Sequence, residues 1–236
     1  KQLKPFNMIK NNWFRQNIYD GMKILDIGCG YLNGRIWNNP SLEIDGLDND
    51  ISIIKRYDDL SIKSNKNVFI QDFTKKWDLT DDYIKRKFNV GLCNKLYDII
   101  LMNFSIHYSF NMKDGFSNLM TEINKRSISG KTKLMISFID SDILFKDRNQ
   151  IDFEDGGFFK NTDSIIYGKG GTMTYYYPWR SNKINNEKIF GHCDIKSRLY
   201  DYGWYEKIKY TTDYEISTMG YKELNKSIKR VTFMKK

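Results

Sequence analysis

The sequence predicts an α/β fold in which a mostly parallel β-sheet is covered by helices on both faces. Short apolar runs alternate along the chain with segments of helical periodicity, as they do when crossover helices connect parallel strands. Two of these runs, Leu96–Met102 and Leu134–Ile139, are almost continuously apolar, which is typical of central strands. A glycine-rich turn directly follows the first apolar run, at the edge where open sheets bind ligands.

The first part of the chain contains five predicted strands and three predicted helices. Apolar runs indicate the strands, and apolar residues spaced three and four positions apart indicate the helices. The predicted strands are Lys23–Ile27, Glu43–Leu47, Asn67–Gln71, Leu96–Met102 and Lys131–Ile139. The predicted helices are Ile51–Ile62, Asp81–Phe88 and Lys113–Lys125.

The pattern changes after about residue 150. Glycine pairs and the aromatic run Tyr175–Trp179 are typical of hairpins or of a lid, and not of another strand–helix unit. We therefore expect an inserted lobe at residues 150–190 that covers the substrate pocket. A helix is predicted at Cys193–Tyr202, ending at a left-handed Gly203. The last two strands of a seven-stranded sheet are then predicted at Trp204–Tyr210 and Ile228–Met234.

Composition favours a single domain, residues 1–236, that binds a polyanion. The chain has 38 Lys and Arg against 29 Asp and Glu, a net charge of +9, and such a surplus attracts nucleic acid. It also has 16 Tyr, and exposed rings beside cationic side chains hold unstacked bases. A composition rich in Lys, Asn, Ile and Tyr also results from an AT-rich genome, and this alternative stays open.

The cysteines and the hydropathy indicate a soluble protein of a reducing compartment such as the cytoplasm. Cys29, Cys93 and Cys193 are widely separated and lack CxxC spacing, so we expect neither a disulfide framework nor a metal site. The sequence contains no run of about 18 apolar residues, so no association with a membrane is expected.

The turn after the first strand has the features of a nucleotide-cofactor site. Gly28 and Gly30 allow the backbone to approach a ligand closely. Asp48 follows Gly30 by 18 residues, at the end of the second strand, where a carboxylate can accept both hydroxyls of a ribose. The spacing GxGxxxG, with Asp26 before the glycines, is typical of methyltransferases rather than dinucleotide binders. The sequence thus predicts a class I S-adenosylmethionine (SAM) dependent methyltransferase, with a Rossmann-like sheet.

Asp72, at the end of the third predicted strand, has two interpretations. Its carboxylate is placed to accept a hydrogen bond from the adenine amino group of the cofactor. It is equally suited to cap the first turn of a helix.

The segment Asn103–Phe110 follows the fourth predicted strand, and it therefore lies beside the ligand crevice. It lacks the aspartate-proline-proline-aromatic motif of amino methyltransferases and a nucleophilic cysteine after proline. It presents instead an aromatic residue, a histidine and a second aromatic residue, Phe104, His107 and Tyr108. This arrangement suits the clamping of a flat base.

Three parts of the chain resemble one known family. The run FSIHYSF at residues 104–110 is similar to the FALHYAF-type signature of mRNA cap guanine-N7 methyltransferases. The segment NNWFR at residues 11–15 resembles that family's NNWIK. Glu187 stands 16 residues before Gly203, at the family's spacing between a cap-binding glutamate and a helix-ending glycine. The resemblance is strongest to the capping enzymes of large DNA viruses, and it extends from about Phe6 to Phe233.

The resemblance implies roles for individual residues. Asp26 precedes the cofactor turn, and the positions that match residues holding SAM are Arg15, Gly28, Gly30, Asp48, Asp72 and Asn103. The positions that match residues around the guanine are Phe104, His107, Tyr108 and Glu187. Residues Tyr31–Arg35 depart from the family's GCGKGGDL, and the family's C-terminal tyrosine is absent from Lys229–Phe233. We expect Tyr175, Tyr176 or Tyr177 to replace that tyrosine, and Tyr177 is the candidate.

The resemblance also implies partners. The chain is expected to be the C-terminal part of a longer capping enzyme, with triphosphatase and guanylyltransferase domains on the same polypeptide and a stimulatory subunit. Its substrate is then the capped 5′ end of an mRNA, in the virion or the host cytoplasm. Lys10, Arg15 and Arg35 are candidates to contact the cap triphosphate.

The residues themselves leave alternatives open. Glu187 is suited to accept the two donors on the pairing edge of guanine, and His107 to donate to its exocyclic oxygen. Glu187 also fits a solvated surface acid, and His107 a buried structural histidine. Two other functions share the cofactor half: a methyltransferase acting on another RNA base, and a non-catalytic subunit that binds RNA.

Overall fold

The computed structural model describes residues 4–32, 34–60, 64–77, 95–153, 156–162, 171–176, 183–210, 224 and 226–236. The side chains of residues 4–8, 34–35, 54 and 208–210 are not part of that description. Three sequence predictions lie outside the described residues: the helix Asp81–Phe88, the pocket residue Tyr177 and the thiol of Cys93.

The described residues form two sheets and a set of helices. The strands are β1 (Lys23–Ile27), β2 (Glu43–Asp48), β3 (Lys66–Ile70), β4 (Ile99–Asn103), β5 (Lys133–Ile139), β6 (Gln150–Asp152), β7 (Phe158–Asn161), β8 (Gly171–Tyr176), β9 (Asn185–Ile189), β10 (Trp204–Tyr210) and β11 (Ile228–Lys235). The helices are α1 (Lys4–Asn17), α2 (Gly34–Trp37), α3 (Ser52–Asp58), α4 (Gly115–Lys125), α5 (Ser141–Leu144) and α6 (His192–Asp201), with a 3-10 helix at Ile106–Phe110.

The main sheet has seven strands in the order β10-β11-β5-β4-β1-β2-β3. Strands β1 to β5 run parallel in their pairs, and β11 is antiparallel to both of its neighbours. The predicted seven-stranded, mostly parallel sheet is therefore confirmed. Because the order reverses beside β1, the carboxyl ends of β1, β2 and β4 open onto one crevice.

Helices cover both faces of this sheet, as the sequence predicts. On one face α4 and α6 bury Leu119 and Leu199 against the strands. On the other face α1, α2 and α3 bury Trp13, Trp37 and Ile53. The central strands consequently lack a solvent-facing side, which explains their nearly continuous apolar sequences.

Two boundaries in this half differ from the sequence prediction by three residues or more. Strand β4 begins at Ile99 and not at Leu96. Tyr97 and Asp98, which precede the strand, make polar side-chain contacts instead. The Tyr97 hydroxyl donates to Asp45 at 2.7 Å, and the Asp98 carboxylate accepts from the Lys23 amide at 2.8 Å. Helix α3 ends at Asp58, four residues before the predicted end.

A separate four-stranded antiparallel sheet, with the order β6-β7-β8-β9, occupies part of residues 150–190. It has its own apolar cluster, which includes Phe153, Phe159, Met173 and Ile189. The chain leaves the main sheet after β5 and returns at Phe190, which forms an isolated bridge with Asp140. This second sheet is here called the lobe.

The end of the chain returns to the main sheet. Helix α6 is followed by Gly203 at φ +83°, the left-handed conformation expected there. Among the described residues, no helix is both long enough and apolar enough to cross a membrane. In the same residues Cys29 and Cys193 are free thiols.

Candidate functional site

The glycine turn after β1 packs directly against the loop after β4. Gly28 has φ +70° and Gly30 has φ +49°, a region that favours glycine. A Cβ added to Gly28 would lie 2.4 Å from the Cβ of Ser105. The Ser105 hydroxyl donates to the Ile27 carbonyl at 2.7 Å. The predicted cofactor turn and the predicted substrate segment are therefore in contact through Ser105, which the sequence analysis did not single out.

The Asp48 carboxylate is fixed beside this turn. Its Oδ2 atom accepts from the Gly30 amide at 2.8 Å, and its Oδ1 atom accepts from the Asp50 amide at 2.9 Å. These bonds hold the half-buried carboxylate at the end of β2, where the sequence predicts contact with a ribose.

Asp26 lies under the turn and is almost completely buried, at 3% exposure. Burial raises the pKa of its carboxyl group to about 6, and the charge of Asp48 adds to the increase. A hydrogen bond from the Trp37 indole at 2.9 Å and the nearby Lys10 act in the opposite direction. Burial also lowers the pKa of Lys10, with a further contribution from Arg230.

The structure does not bring Arg15 into this group. Helix α1 turns its buried face, with Trp13 and Phe14, toward the sheet, and Lys10 approaches Asp26 from the same helix. Arg15 follows Lys10 by five residues, which places it about 140° around the helix axis. It is exposed, whereas Lys10 lies close enough to Asp26 to affect the pKa of that carboxyl group. The contact of Arg15 with SAM stays a prediction. The side chain of Arg35 is outside the described residues.

Asp72 caps a turn after β3. Its Oδ1 atom accepts from the amide of Thr74 at 3.0 Å and from the hydroxyl of Thr74 at 2.6 Å. Its Oδ2 atom lies 3.4 Å from the Lys75 ammonium. Asp72 thus stabilises a turn, but within residues 72–77 that turn does not begin a helix, so the predicted helix cap is not seen there. The adenine contact stays a prediction.

The chain bends sharply at the end of β4. Asn103 accepts a 2.6 Å hydrogen bond from the Ser137 hydroxyl on β5. Phe104 has φ +57°, a left-handed conformation that is strained for an aromatic residue. Strain of this kind is concentrated at functional sites. The bend directs the chain into the 3-10 helix that carries His107 and Tyr108.

Four side chains from distant parts of the sequence meet above this bend. Glu187, on β9 of the lobe, accepts from the Tyr108 hydroxyl at 3.2 Å and from the Tyr175 hydroxyl at 2.5 Å, both through Oε1. The other oxygen of Glu187 lies 3.3 Å from Nε2 of His107. His107, Tyr108, Tyr175 and Glu187 are here called the recognition cluster. The resemblance grouped three of them, and it left Tyr175 as one of three tyrosines.

The recognition cluster holds the Glu187 carboxylate beside the Nε2 atom of His107. Burial by itself raises the pKa of Glu187, but His107 and the two tyrosine hydroxyls outweigh burial and lower it. The Nε2 atom of His107 is buried and lies 3.3 Å from Glu187, and within the described part of the chain no well-aligned hydrogen bond reaches it. The cluster therefore places a fixed acceptor beside a histidine nitrogen that has no well-aligned hydrogen bond within the described residues.

Known proteins were compared with this chain. No family model and no curated protein sequence matches it. A SAM-dependent methyltransferase from Clostridium acetobutylicum is 12% identical, with a TM-score of 0.62, over 99% of this chain and 92% of that one. The 1,6-didemethyltoxoflavin-N1-methyltransferase of Burkholderia thailandensis is 10% identical, with a TM-score of 0.57, over 98% and 78%. The chain has the class I S-adenosylmethionine-dependent methyltransferase fold.

The methyltransferase fold gives the predicted residues a common frame. Gly28, Gly30 and Asp48 lie at the ends of β1 and β2, and Asn103 lies at the end of the neighbouring β4. The backbone amides of the glycine turn, the Asp48 carboxylate and the buried Asp26 form a set of hydrogen-bond donors and acceptors that fits SAM. The described residues contain no group of three or more His, Cys, Asp or Glu side chains that could hold a metal ion.

One contact at the edge of the candidate cofactor site was missed by the sequence analysis. Arg56 on α3 donates to the Gly30 carbonyl at 2.9 Å and lies 3.2 Å from the Asp50 carboxylate. Its guanidinium also lies 4.4 Å from the ring centre of Tyr31, which is 77% exposed. Arg56 thus supports the turn where the chain departs from the cap family's sequence. No local signal indicates this contact, because the two residues are 26 positions apart.

Proposed function

We propose that this protein transfers a methyl group from SAM to the N7 atom of guanine at the capped 5′ end of an RNA. The fold supports SAM as the cofactor, and the recognition cluster supports guanine as the acceptor. The observation that carries the proposal is the Glu187 carboxylate with the buried Nε2 atom of His107 3.3 Å away, beside the carboxyl end of β4.

The cofactor would be held by residues at the ends of the first two strands. Asp48 would accept the ribose hydroxyls, and the backbone at Gly28 and Gly30 would approach the methionine part of SAM. Asp26 adds negative charge beneath the turn, where the cofactor's ammonium group is favoured. When bound, SAM supplies a methyl group made electrophilic by the attached sulfonium.

The recognition cluster matches the pairing edge of guanine. Guanine presents a ring N–H and an amino group, which one carboxylate can accept together, and a neighbouring carbonyl oxygen, which a histidine N–H can satisfy. Adenine has the opposite pattern, and pairing it with Glu187 would leave buried acceptors unsatisfied at a cost of about 1–3 kcal/mol each. The rings of Phe104 and Tyr108 provide apolar surface for the base.

No proton has to be removed from the acceptor atom. The N7 atom of guanine has a lone pair in the ring plane and carries no hydrogen, so Glu187 acts in recognition and not as a general base. The protein's task is to hold the guanine in line with the methyl group. Such alignment can lower a barrier by roughly 7–11 kcal/mol.

The partners of this activity are also proposals. The GpppN end must be made by a triphosphatase and a guanylyltransferase, which we place on the same polypeptide or in the same complex, with a stimulatory subunit as a further partner. The net charge of +9 supports a polyanionic substrate longer than the cap itself.

Methyl transfer to GpppA-capped RNA from labelled SAM, with uncapped RNA of the same sequence as control, tests the proposal. His107→Ala and Glu187→Ala are each expected to lower kcat/KM by about 10–100-fold, the size of a lost hydrogen bond to a charged group. Calorimetry is expected to show SAM affinity in both variants within about twofold of the wild type, because neither residue contacts the cofactor site. Asp48→Ala is expected to lose SAM affinity instead.

A matched control is available in the same chain. His192 and Glu206 form a second histidine–glutamate pair, also 3.3 Å apart, between α6 and β10. Glu206→Ala is expected to leave cap methylation unchanged once protein stability is accounted for. Equal loss in Glu206→Ala and Glu187→Ala would contradict a specific role for the recognition cluster.

A second candidate function is methylation of a nitrogen in a small heterocycle. It is favoured by the Burkholderia thailandensis neighbour, whose structure contains 1,6-didemethyltoxoflavin and S-adenosylhomocysteine. Free guanine, GTP and cap dinucleotide, assayed beside capped RNA, separate the two functions. Turnover of free guanine or GTP as efficient as that of capped RNA would favour the small-molecule function.

A further inference from the structure

Tyr175 contacts Glu187 from inside the lobe. On the β8–β9 ladder Met173 stands opposite Glu187, and Tyr175 stands opposite Asn185. Alternate residues of a strand share a face, so Tyr175, Met173 and Glu187 lie on the same face of the lobe sheet. Tyr175 is therefore a diagonal neighbour of Glu187, within reach of its long side chain.

The two tyrosines of the recognition cluster are held to different degrees. Tyr175 is 8% exposed, and its ring packs edge-on against Phe159, with ring centres 6.0 Å apart, in the apolar cluster of the lobe. Tyr108 is 42% exposed and belongs to the 3-10 helix of the main domain. The ring of Tyr175 is thus fixed by packing in the lobe, whereas the ring of Tyr108 is partly exposed to solvent.

Both hydroxyls use the same oxygen of Glu187. Oε1 accepts from Tyr175 at 2.5 Å and from Tyr108 at 3.2 Å, which occupies both of its lone pairs. A ligand that donates two N–H groups to the carboxylate needs one lone pair on each oxygen. The longer, exposed bond from Tyr108 is the one that can be displaced, and the short bond from Tyr175 stays.

We propose that Tyr175 is the positioning residue for base specificity, because it holds Glu187 in the orientation that accepts both donors of the guanine pairing edge. This inference rests on the proposed function. Tyr108 then releases its hydrogen bond when the base enters, and its ring packs against the base. Tyr175 acts through Glu187 and does not itself touch the substrate.

The same contact helps to keep Glu187 ionised. The described titratable groups that face Glu187 are His107 and Tyr108 from the 3-10 helix and Tyr175 from β8. Burial raises the pKa of Glu187, so removal of one hydroxyl donor shifts that pKa upward. A protonated Glu187 has lost an acceptor site and cannot receive two N–H groups in the same way.

Kinetics of Tyr175→Phe test the inference, with Tyr176→Phe as the matched control. Tyr176 is the next residue of β8 and points to the opposite face, where its ring lies near Phe158. Tyr175→Phe is expected to raise the KM for guanosine-capped RNA about tenfold, while kcat changes less than about twofold. The preference for a guanosine cap over an inosine cap, which lacks the amino group, is expected to fall by a similar factor.

The pH dependence of kcat/KM distinguishes this role from a general loss of structure, which would lower activity without shifting the acid limb. In Tyr175→Phe the acid limb of kcat/KM is expected to move toward neutral pH, and in Tyr176→Phe it is expected to stay in place. Unchanged KM, base preference and acid limb in Tyr175→Phe would overturn the inference.

Carbon-13 NMR titration of the Glu187 carboxyl group, without any substrate, separates the inference from the proposed function. Tyr175→Phe is expected to raise the pKa of Glu187 measured in this way. An unchanged titration overturns the role of Tyr175 even if the wild-type protein methylates caps. A raised pKa in a protein that ignores capped RNA supports the control of Glu187 by Tyr175 and rejects guanine as the base.

Discussion

The pKa values of two carboxyl groups near the carboxyl edge of the main sheet, those of Asp26 and Glu187, are shifted in opposite directions. Asp26 is buried under the glycine turn, and burial raises its pKa to about 6. Glu187 is only partly buried, and His107 and two tyrosine hydroxyls outweigh that burial and lower its pKa. The first group costs stability when it is ionised, and the second stays ionised for recognition.

The raised pKa of Asp26 predicts how stability depends on pH. Because the folded-state value lies above the unfolded value of 3.8, its contribution to stability is complete below about pH 4 and is lost as pH rises through about 6. Asp26→Asn removes the charge and is therefore expected to stabilise the cofactor-free protein more at about pH 8 than at about pH 4, by on the order of 3 kcal/mol. Thermal unfolding of both proteins at the two pH values measures this.

The control for Asp26 is Asp201→Asn, at the exposed end of α6. Because its side chain is exposed, its effect on the melting temperature is expected to differ between the two pH values much less than that of Asp26→Asn. If Asp26→Asn also behaves in this way, Asp26 is not the buried, pKa-shifted group described above.

The sequence predicts the members of the site better than their contacts. His107 and Tyr108 could be predicted from one short motif, but Glu187 lies 79 positions from Tyr108, and only the resemblance connected them. Which lobe tyrosine meets Glu187 depends on the register of β8 and β9, which local sequence does not specify. The outward direction of Arg15 depends on which face α1 buries.

At the level of elements, the contact between the β1 turn and the β4 loop couples the two halves of the site. A methyl group on Gly28 would overlap Ser105, with 2.4 Å between the Cβ atoms. Gly28→Ala is therefore expected to destabilise the fold by about 1–3 kcal/mol and to weaken SAM and cap binding together. Denaturant unfolding and calorimetry measure the two effects.

Gly130→Ala is the matched control for this substitution. Gly130 also has φ +70°, but nothing lies within 4 Å of an added Cβ. The control carries the backbone strain without the overlap, so the difference between the two variants reports the contact with Ser105. Equal effects of both substitutions on stability and on binding would show that the contact between Gly28 and Ser105 does not couple the two halves of the site.

The elements themselves follow from the sequence where hydrophobic burial decides them. β1, β4 and β5 could be predicted because burial on both faces makes their sequences apolar. The start of β4 could not be predicted, because an aromatic residue such as Tyr97 is typical of a strand. The hydrogen bond from its hydroxyl to Asp45 is not visible in the local sequence. The four strands of the lobe are short and partly polar, so their pairing order depends on tertiary contacts.

At the scale of the whole molecule, the recognition cluster joins the lobe to the main domain. Glu187 and Tyr175 come from the lobe, and His107 and Tyr108 come from the loop after β4. The proposed guanine site therefore requires both parts of the fold, whereas the proposed cofactor site requires only the main sheet.

The net charge of +9 predicts how the substrate binds. Binding of a polyanion releases counterions, so the KM for capped RNA is expected to rise steeply, by about tenfold or more, between about 50 and about 200 mM salt. The KM for cap dinucleotide, which has few phosphates, is expected to change much less. Identical salt dependence for the two substrates would mean that the RNA body makes no ionic contacts.

The central claim is that the recognition cluster selects a guanine cap for methylation at N7. The direct measurement is transfer from labelled SAM to GpppA-capped and uncapped RNA, with nuclease digestion and mass spectrometry to locate the methyl group. The account predicts 7-methylguanosine in the cap of the capped RNA, no label in the uncapped RNA, and loss of the label in Glu187→Ala with SAM affinity retained. Label at another position, or equal label in uncapped RNA, would contradict the account.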